Sequence, residues 1–251
     1  MADDVALAVL AHPDDAEFLC AGTLIRLARE RGWKVHVATM TPGDCGSAEH
    51  SSVEIARIRR GEAAAAAARL GGTYYCVEER DLSIFYDAPT VAKVTNLLRA
   101  VRPRVVFTHS PDDYMLDHEM TSRLVRAAAF NAPIPLFLAG RGGPPPIDHI
   151  PHLYYCDPIE GKDLFGRPVT PGIRVDVSGV IEEKTALLAC HASQRNWLLK
   201  HHGVDQYLNA MREWGAARGK EGGVAYAEGF RQHLGHSYPQ DNLVGELLGA
   251  V

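Results

Sequence analysis

Apolar positions come in short blocks that end abruptly, and the blocks alternate between two periods. Residues 5–10, 34–39, 73–77 and 105–108 are strand-like runs, bounded by charge or by turn residues. Between them, residues 17–31, 53–70 and 90–101 carry apolar side chains at helical spacing. Gly32 and Gly71 stand just past two of these helices, where a left-handed cap is expected. Strand and helix in alternation predict a parallel sheet covered on both faces. The expected fold is therefore α/β, a Rossmann-like and mostly parallel sheet flanked by helices, with a smaller C-terminal α/β section. One domain over 1–251 is expected, with its Rossmann-like core in 1–140 and the C-terminal section in 151–251. Between them lies a Gly- and Pro-rich stretch, 141–151, read as a loop. Past it, 152–156 and 173–177 read as strands and 181–191 and 206–217 as helices. The tail from 225 onward reads as mixed helix and loop. The alanine run 63–68 needs no function, because alanine is the best helix former.

Composition narrows the class. The 251 residues are 46% hydrophobic and 23% charged, with a net charge of −5. That describes an ordinary globular chain without the basic stripe of a nucleic-acid binder. No apolar stretch approaches the roughly 18 residues of a membrane span, and no signal peptide is expected ahead of the first strand. Five scattered cysteines with no Cys-x-x-Cys suit reduced thiols and a cytoplasmic location. The turn after the first strand lacks Gly-x-Gly-x-x-Gly, which disfavours a nucleotide-dependent oxidoreductase.

The chemistry concentrates where two strand-like runs stop. His12-Pro-Asp14-Asp15 ends the first, and Asp113-Tyr114-Met115-Leu-Asp117-His118 follows the fourth. In open α/β sheets, ligands bind at such strand ends. His and Asp are zinc ligand types, and three such ligands leave a position open for water, as in hydrolytic sites. The alternative for His12 and Asp15 is that they cap the following helix. Asp14 is either a base beside the metal or an exposed loop carboxylate.

These two motifs resemble the signatures of the LmbE-like, or PIG-L, deacetylases, zinc-dependent enzymes that act on N-acetylglucosaminyl compounds. The resemblance implies one Zn2+ per chain, held by His12, Asp15 and His118, with Asp14 as general base. It implies a hydrolase that removes the N-acetyl group from an N-acetylglucosamine-type sugar or glycoconjugate, with metal-bound water as nucleophile. A homo-oligomer, trimeric or hexameric, is expected by the same likeness. The alternative is a zinc-containing sugar-binding or regulatory protein with little turnover, because Met115 stands where the family has His. His109, His191, His233 and His236 are candidates to replace that donor, with His236 preferred; the alternative is that Asp14 carries the proton from water to the leaving amine unaided. Asp117 is expected to assist catalysis, and Asp113 to hold its loop. Arg59, in an Arg-x-x-Glu pattern with Glu62, is expected either to bind substrate or to face solvent. Asp44 and Tyr114, on loops facing the same strand ends, are further substrate-binding candidates. Lys184 and His191-Ala-Ser193-Gln194 match a late family pattern whose role is expected to be structural.

Overall fold

Val5–Leu10 forms strand β1, buried at all six positions. The computed structural model describes residues 4–137, 142–196 and 206–251. β2 (Lys34–Thr39), β3 (Tyr74–Cys76), β4 (Val105–Thr108), β5 (His152–Cys156), β6 (Ile173–Asp176) and β7 (Ala227–Gln232) complete one sheet, in the order β3-β2-β1-β4-β5-β7-β6. The pairs β1·β2, β1·β4, β2·β3 and β4·β5 are parallel, while β7 is antiparallel to both of its neighbours.

Alternate residues of a strand face opposite sides, and the core divides accordingly. Ala6, Ala8 and Leu10 pack with Leu24 and Leu27 of α2 (Ala21–Arg31). Leu7 and Val9 pack with Val94 and Leu98 of α4 (Ala88–Val101) and with Leu124 and Val125 of α5 (Leu116–Asn131). The remaining helices are α1 (Asp15–Leu19), α3 (Ser52–Arg69), α6 (Ile181–Leu188), α7 (Gln206–Gly222) and α8 (Leu243–Leu248). Ser51 and Glu54 close a capping box on α3. Gly32 takes the left-handed cap with φ 68.

The structure corrects two expectations. The helix expected over 17–31 is two helices, because Cys20 has φ −145 and breaks the run. The tail expected as helix and loop contains β7, an interior strand. Its sequence, Ala-Glu-Gly-Phe-Arg-Gln, carries a buried glutamate where an interior strand ordinarily has an apolar residue. Glu228 is stabilised there by partners from two other elements, α2 and α6. Its oxygens accept from Gly22 N at 2.8 Å, Thr23 N at 2.7 Å, Thr23 Oγ1 at 2.6 Å and Lys184 Nζ at 2.7 Å. The carboxylate thus sits on the α2 N-terminus, which favours negative charge.

Candidate active site

Strand order reverses between β1 and β4: β2 lies beside one and β5 beside the other. Crevices at the carboxyl ends of such a strand pair bind ligands. Residues 12–15 leave β1 there, and residues 109–118 leave β4. The two ends are tied where Ala11 N donates to His109 Nε2 at 3.0 Å.

Asp15 is the hub. His12 Nδ1 lies 3.3 Å from its Oδ2, His109 Nε2 3.1 Å and His118 Nε2 3.7 Å. The far nitrogens of the two motif histidines face carboxylates of their own: His12 Nε2 lies 3.0 Å from Asp81, and His118 Nδ1 3.1 Å from Asp113. A metal-binding histidine ordinarily backs onto such a group, which fixes its tautomer. The donor atoms of His12, Asp15 and His118 lie close enough together for one ion to bridge them. Two nitrogens and a carboxylate oxygen suit Zn2+. Burial works against a charge on His12, yet Asp117, Asp15 and Asp81 hold its imidazole well above the ordinary value. Burial likewise disfavours the Asp15 carboxylate, but His118 and His109 keep its pKa well below the usual range. A cation at this point would take over the work of the His12 proton.

Asp14 diverges from Asp15 because its backbone is left-handed, with φ 101. Its Oδ2 accepts from Tyr207 at 2.7 Å and lies 3.5 Å from Arg59 Nη2. Burial raises its pKa, against the pull of Arg59. A base with raised pKa is better matched to neutral pH.

His12, Asp14, Asp15, Arg59, Tyr114, Met115 and His118 line one cavity of about 280 Å³, together with Cys45, Asp81, Leu82 and Gln194. Tyr114 stands at its mouth, its ring edge-on to His118 at 5.3 Å. Asp117 is buried, accepts from Leu82 N at 2.7 Å and lies 3.4 Å from His12 Nε2. Arg59 is buried as well; its Nη2 donates to Pro13 O at 2.7 Å. That excludes the solvated-face alternative and makes Arg59 a brace for the 12–15 turn. Gly43 and Gly46 leave room for this guanidinium, which a Cβ at either position would strike. Glu62 and Ser193 join the two outlying motifs, with Ser193 N at 2.8 Å and Oγ at 2.7 Å from the carboxylate. Gln194 Nε2 donates to Gly46 O at 2.9 Å.

Two expected site residues lie elsewhere. Asp44 accepts from Asp81 N at 2.9 Å and Ser52 Oγ at 3.0 Å, so its oxygens brace loops and do not line this cavity. His236 is exposed and also does not line the cavity of its own chain. Its turn is anchored on α5, where Tyr238 donates to Arg126 O at 2.7 Å. The other candidate donors are engaged too. His109 is fully buried and stacked on His118 at 3.8 Å, and burial lowers its pKa to about 4. His191 is buried 3.2 Å from Glu17, and His233 meets the Tyr155 hydroxyl at 3.1 Å. Sequence reasoning missed Asp81 and Tyr207. Neither sits in a motif, and each reaches the site from a separate element.

Residues 7–129 match the family PIG-L: GlcNAc-PI de-N-acetylase. The chain is 28% identical to the 4-oxalmesaconate hydratase of Pseudomonas putida, covering 90% of this chain and 88% of that one. It is also 28% identical to a 1D-myo-inositol 2-acetamido-2-deoxy-alpha-D-glucopyranoside deacetylase of Mycobacterium sp., covering 75% and 73%. Among solved structures it resembles the N,N'-diacetylchitobiose deacetylase of Pyrococcus horikoshii, with TM-score 0.78 and 25% identity over 96% of this chain and 88% of that one. Among the described residues, no helix is long and apolar enough to cross a membrane.

Proposed function

We propose that this chain, which belongs to the PIG-L family through residues 7–129, is a zinc-dependent hydrolase that removes the acetyl group from an N-acetylated amino sugar or glycoconjugate. The observation that carries this reading is the Asp14 carboxylate beside His12, Asp15 and His118 on the wall of one open cavity. Zn2+ held by those three residues would supply a Lewis acid for the amide carbonyl and lower the pKa of water.

The chain's own residues supply the rest. Asp14 accepts the proton of the attacking water. Arg59 braces the turn that carries it. Asp81, Asp117 and Asp113 orient the ligand histidines. Tyr114 offers an aromatic face at the mouth, where one face of a sugar ring can rest. Met115 lines the cavity and has no proton to give. The proton on Asp14 is therefore the one returned to the leaving amine. The cavity volume of about 280 Å³ is at the small end for ligand sites. It suits a single sugar unit whose remainder stays in solvent.

The test is acetate release from a panel of N-acetylated sugars by the zinc-loaded protein. Asp14→Asn is expected to keep zinc and lose about 10²–10⁴-fold in rate, the range for a general base. Near-normal turnover by that variant would exclude the mechanism.

A second reading is favoured by the hydratase relative, whose match spans 90% of this chain. Addition of water to a carbon–carbon double bond of an unsaturated carboxylate would use the same base and Lewis acid, with the proton taken from water by Asp14 passed to the neighbouring carbon instead of to a leaving amine. Loss of ultraviolet absorbance from a conjugated unsaturated dicarboxylate, with no acetate released from any sugar, would select it. Zinc binding without either activity would select a binding or regulatory protein.

A further inference from the structure

We propose that Tyr207, on α7, is a positioning residue that fixes the orientation of the Asp14 carboxylate and so decides which of its oxygens faces the reacting water. The proposal rests on the reading of Asp14 as general base. It brings the C-terminal section, outside the 7–129 family match, into the working of the site.

Among the described residues the hydroxyl has no partner besides Asp14. Tyr207 is buried with Ile181, Leu188 and Met211 in a small apolar cluster. Its ring meets Phe18 edge-on at 5.0 Å, and Phe18 meets Trp214 at 5.5 Å. Phenylalanine would fill that space equally well. A buried phenol needs a partner for its O–H, and this one donates to Asp14 Oδ2 at 2.7 Å.

The Tyr207 hydroxyl and the Arg59 charge converge on the same oxygen, since Arg59 Nη2 also lies nearest Oδ2, at 3.5 Å. Among the described residues nothing donates to Oδ1. Among the described residues the carboxylate is thus divided, with Oδ2 facing donors from α7 and α3 and no such partner on Oδ1. The backbone alone does not enforce this arrangement. At φ 101 Asp14 occupies a conformation that side-chain-bearing residues rarely adopt. Such a conformation persists where the surroundings over-determine it. Among the described residues, Tyr207 hydrogen-bonds the side chain and Arg59 pairs with it.

The test compares Tyr207→Phe with wild type and repeats the comparison in an Asp14→Gly background. Glycine tolerates the positive φ and removes the carboxylate. With N,N'-diacetylchitobiose and the zinc-loaded protein, Tyr207→Phe is expected to lower kcat about 10–100-fold, the range for one hydrogen bond to a charged group. KM is expected to stay within about twofold, and zinc content unchanged. In the Asp14→Gly background the same change should have no further effect on the residual rate. An unchanged kcat, or an equal loss in both backgrounds, overturns the proposal. Thermal unfolding of the four proteins gives a substrate-free reading. The stability cost of Tyr207→Phe should vanish once Asp14 is gone, and a cost that survives undiminished overturns the proposal whatever the substrate. Lack of acetate release by the wild type, with the unfolding coupling intact, would instead count against the deacetylase reading alone.

Discussion

His12 and His118 each turn one ring nitrogen toward Asp15 and the other toward a separate carboxylate. Asp113 lies within the second motif, but Asp81 comes from the loop after β3 and belongs to no motif. It is the less visible half of the support for these histidines. Asp81→Asn is expected to weaken zinc binding about 10–100-fold, as loss of an outer partner commonly does. Competition with a chromogenic chelator measures this, and unchanged affinity would mean His12 is oriented by Asp117 alone. Gly43 shows a different residue-scale constraint. It has φ +71, and a Cβ there would strike the Arg59 guanidinium. Gly43→Ala is expected to cost more than about 1 kcal/mol, because the strain adds to the clash. The urea midpoint reports the stability, and a fall in kcat would report Arg59 leaving the 12–15 turn.

Among the elements, β7 depends most on a partner far away in sequence. Lys184 and Glu228 are both about 2% exposed and 2.7 Å apart. Lys184 also donates to Phe18 O at 2.8 Å, so α6 holds α1 as well as β7. Removing one member of a buried pair leaves the other charged and unpaired, which costs about 3–5 kcal/mol. Lys184→Met is therefore expected to unfold at clearly lower denaturant. Adding Glu228→Gln should recover part of the loss, since a neutral amide oxygen at that position can still accept from the α2 N-terminus. A single variant as stable as wild type would show that the pair carries no weight. The break at Cys20 follows from the same arrangement. α2 begins at Ala21, where Glu228 can reach the free N–H groups of Gly22 and Thr23.

Across the whole molecule, the proposed metal joins what the sheet brings together. His12 and Asp15 follow β1, whereas His118 lies in the first turn of α5, after β4. An ion that binds only the folded chain stabilises it by about 2.7 kcal/mol at a hundred times its dissociation constant. For a protein of this size that corresponds to a rise in Tm of about 5–10 °C. Chelation is expected to lower Tm by that amount, and added zinc to restore it. His118→Ala should abolish the response while leaving the circular dichroism spectrum of the fold. A full zinc response in that variant would remove His118 from the ligand set.

The sequence alone determined the alternation of strands and helices and the two places where chemistry collects. Period, strand length and polar clusters at strand ends are local properties, and they locate the two motifs that hold His12, Asp14, Asp15 and His118, whose expected roles come from the family resemblance. The structure decided matters that depend on partners distant in sequence. Glu228 disguises β7 because its neutralising lysine lies 44 residues away. Arg59 reads as half of a charged helix face until Pro13 and Gly43 close over it. Tyr207 and Asp14 are 193 residues apart, and only the packing of α7 against α1 brings the hydroxyl to the carboxylate. His236 has suitable chemistry for the site, but Tyr238 fixes that turn on α5. A residue's chemistry is written at its own position, whereas its burial and its partner are set by the chain that folds over it.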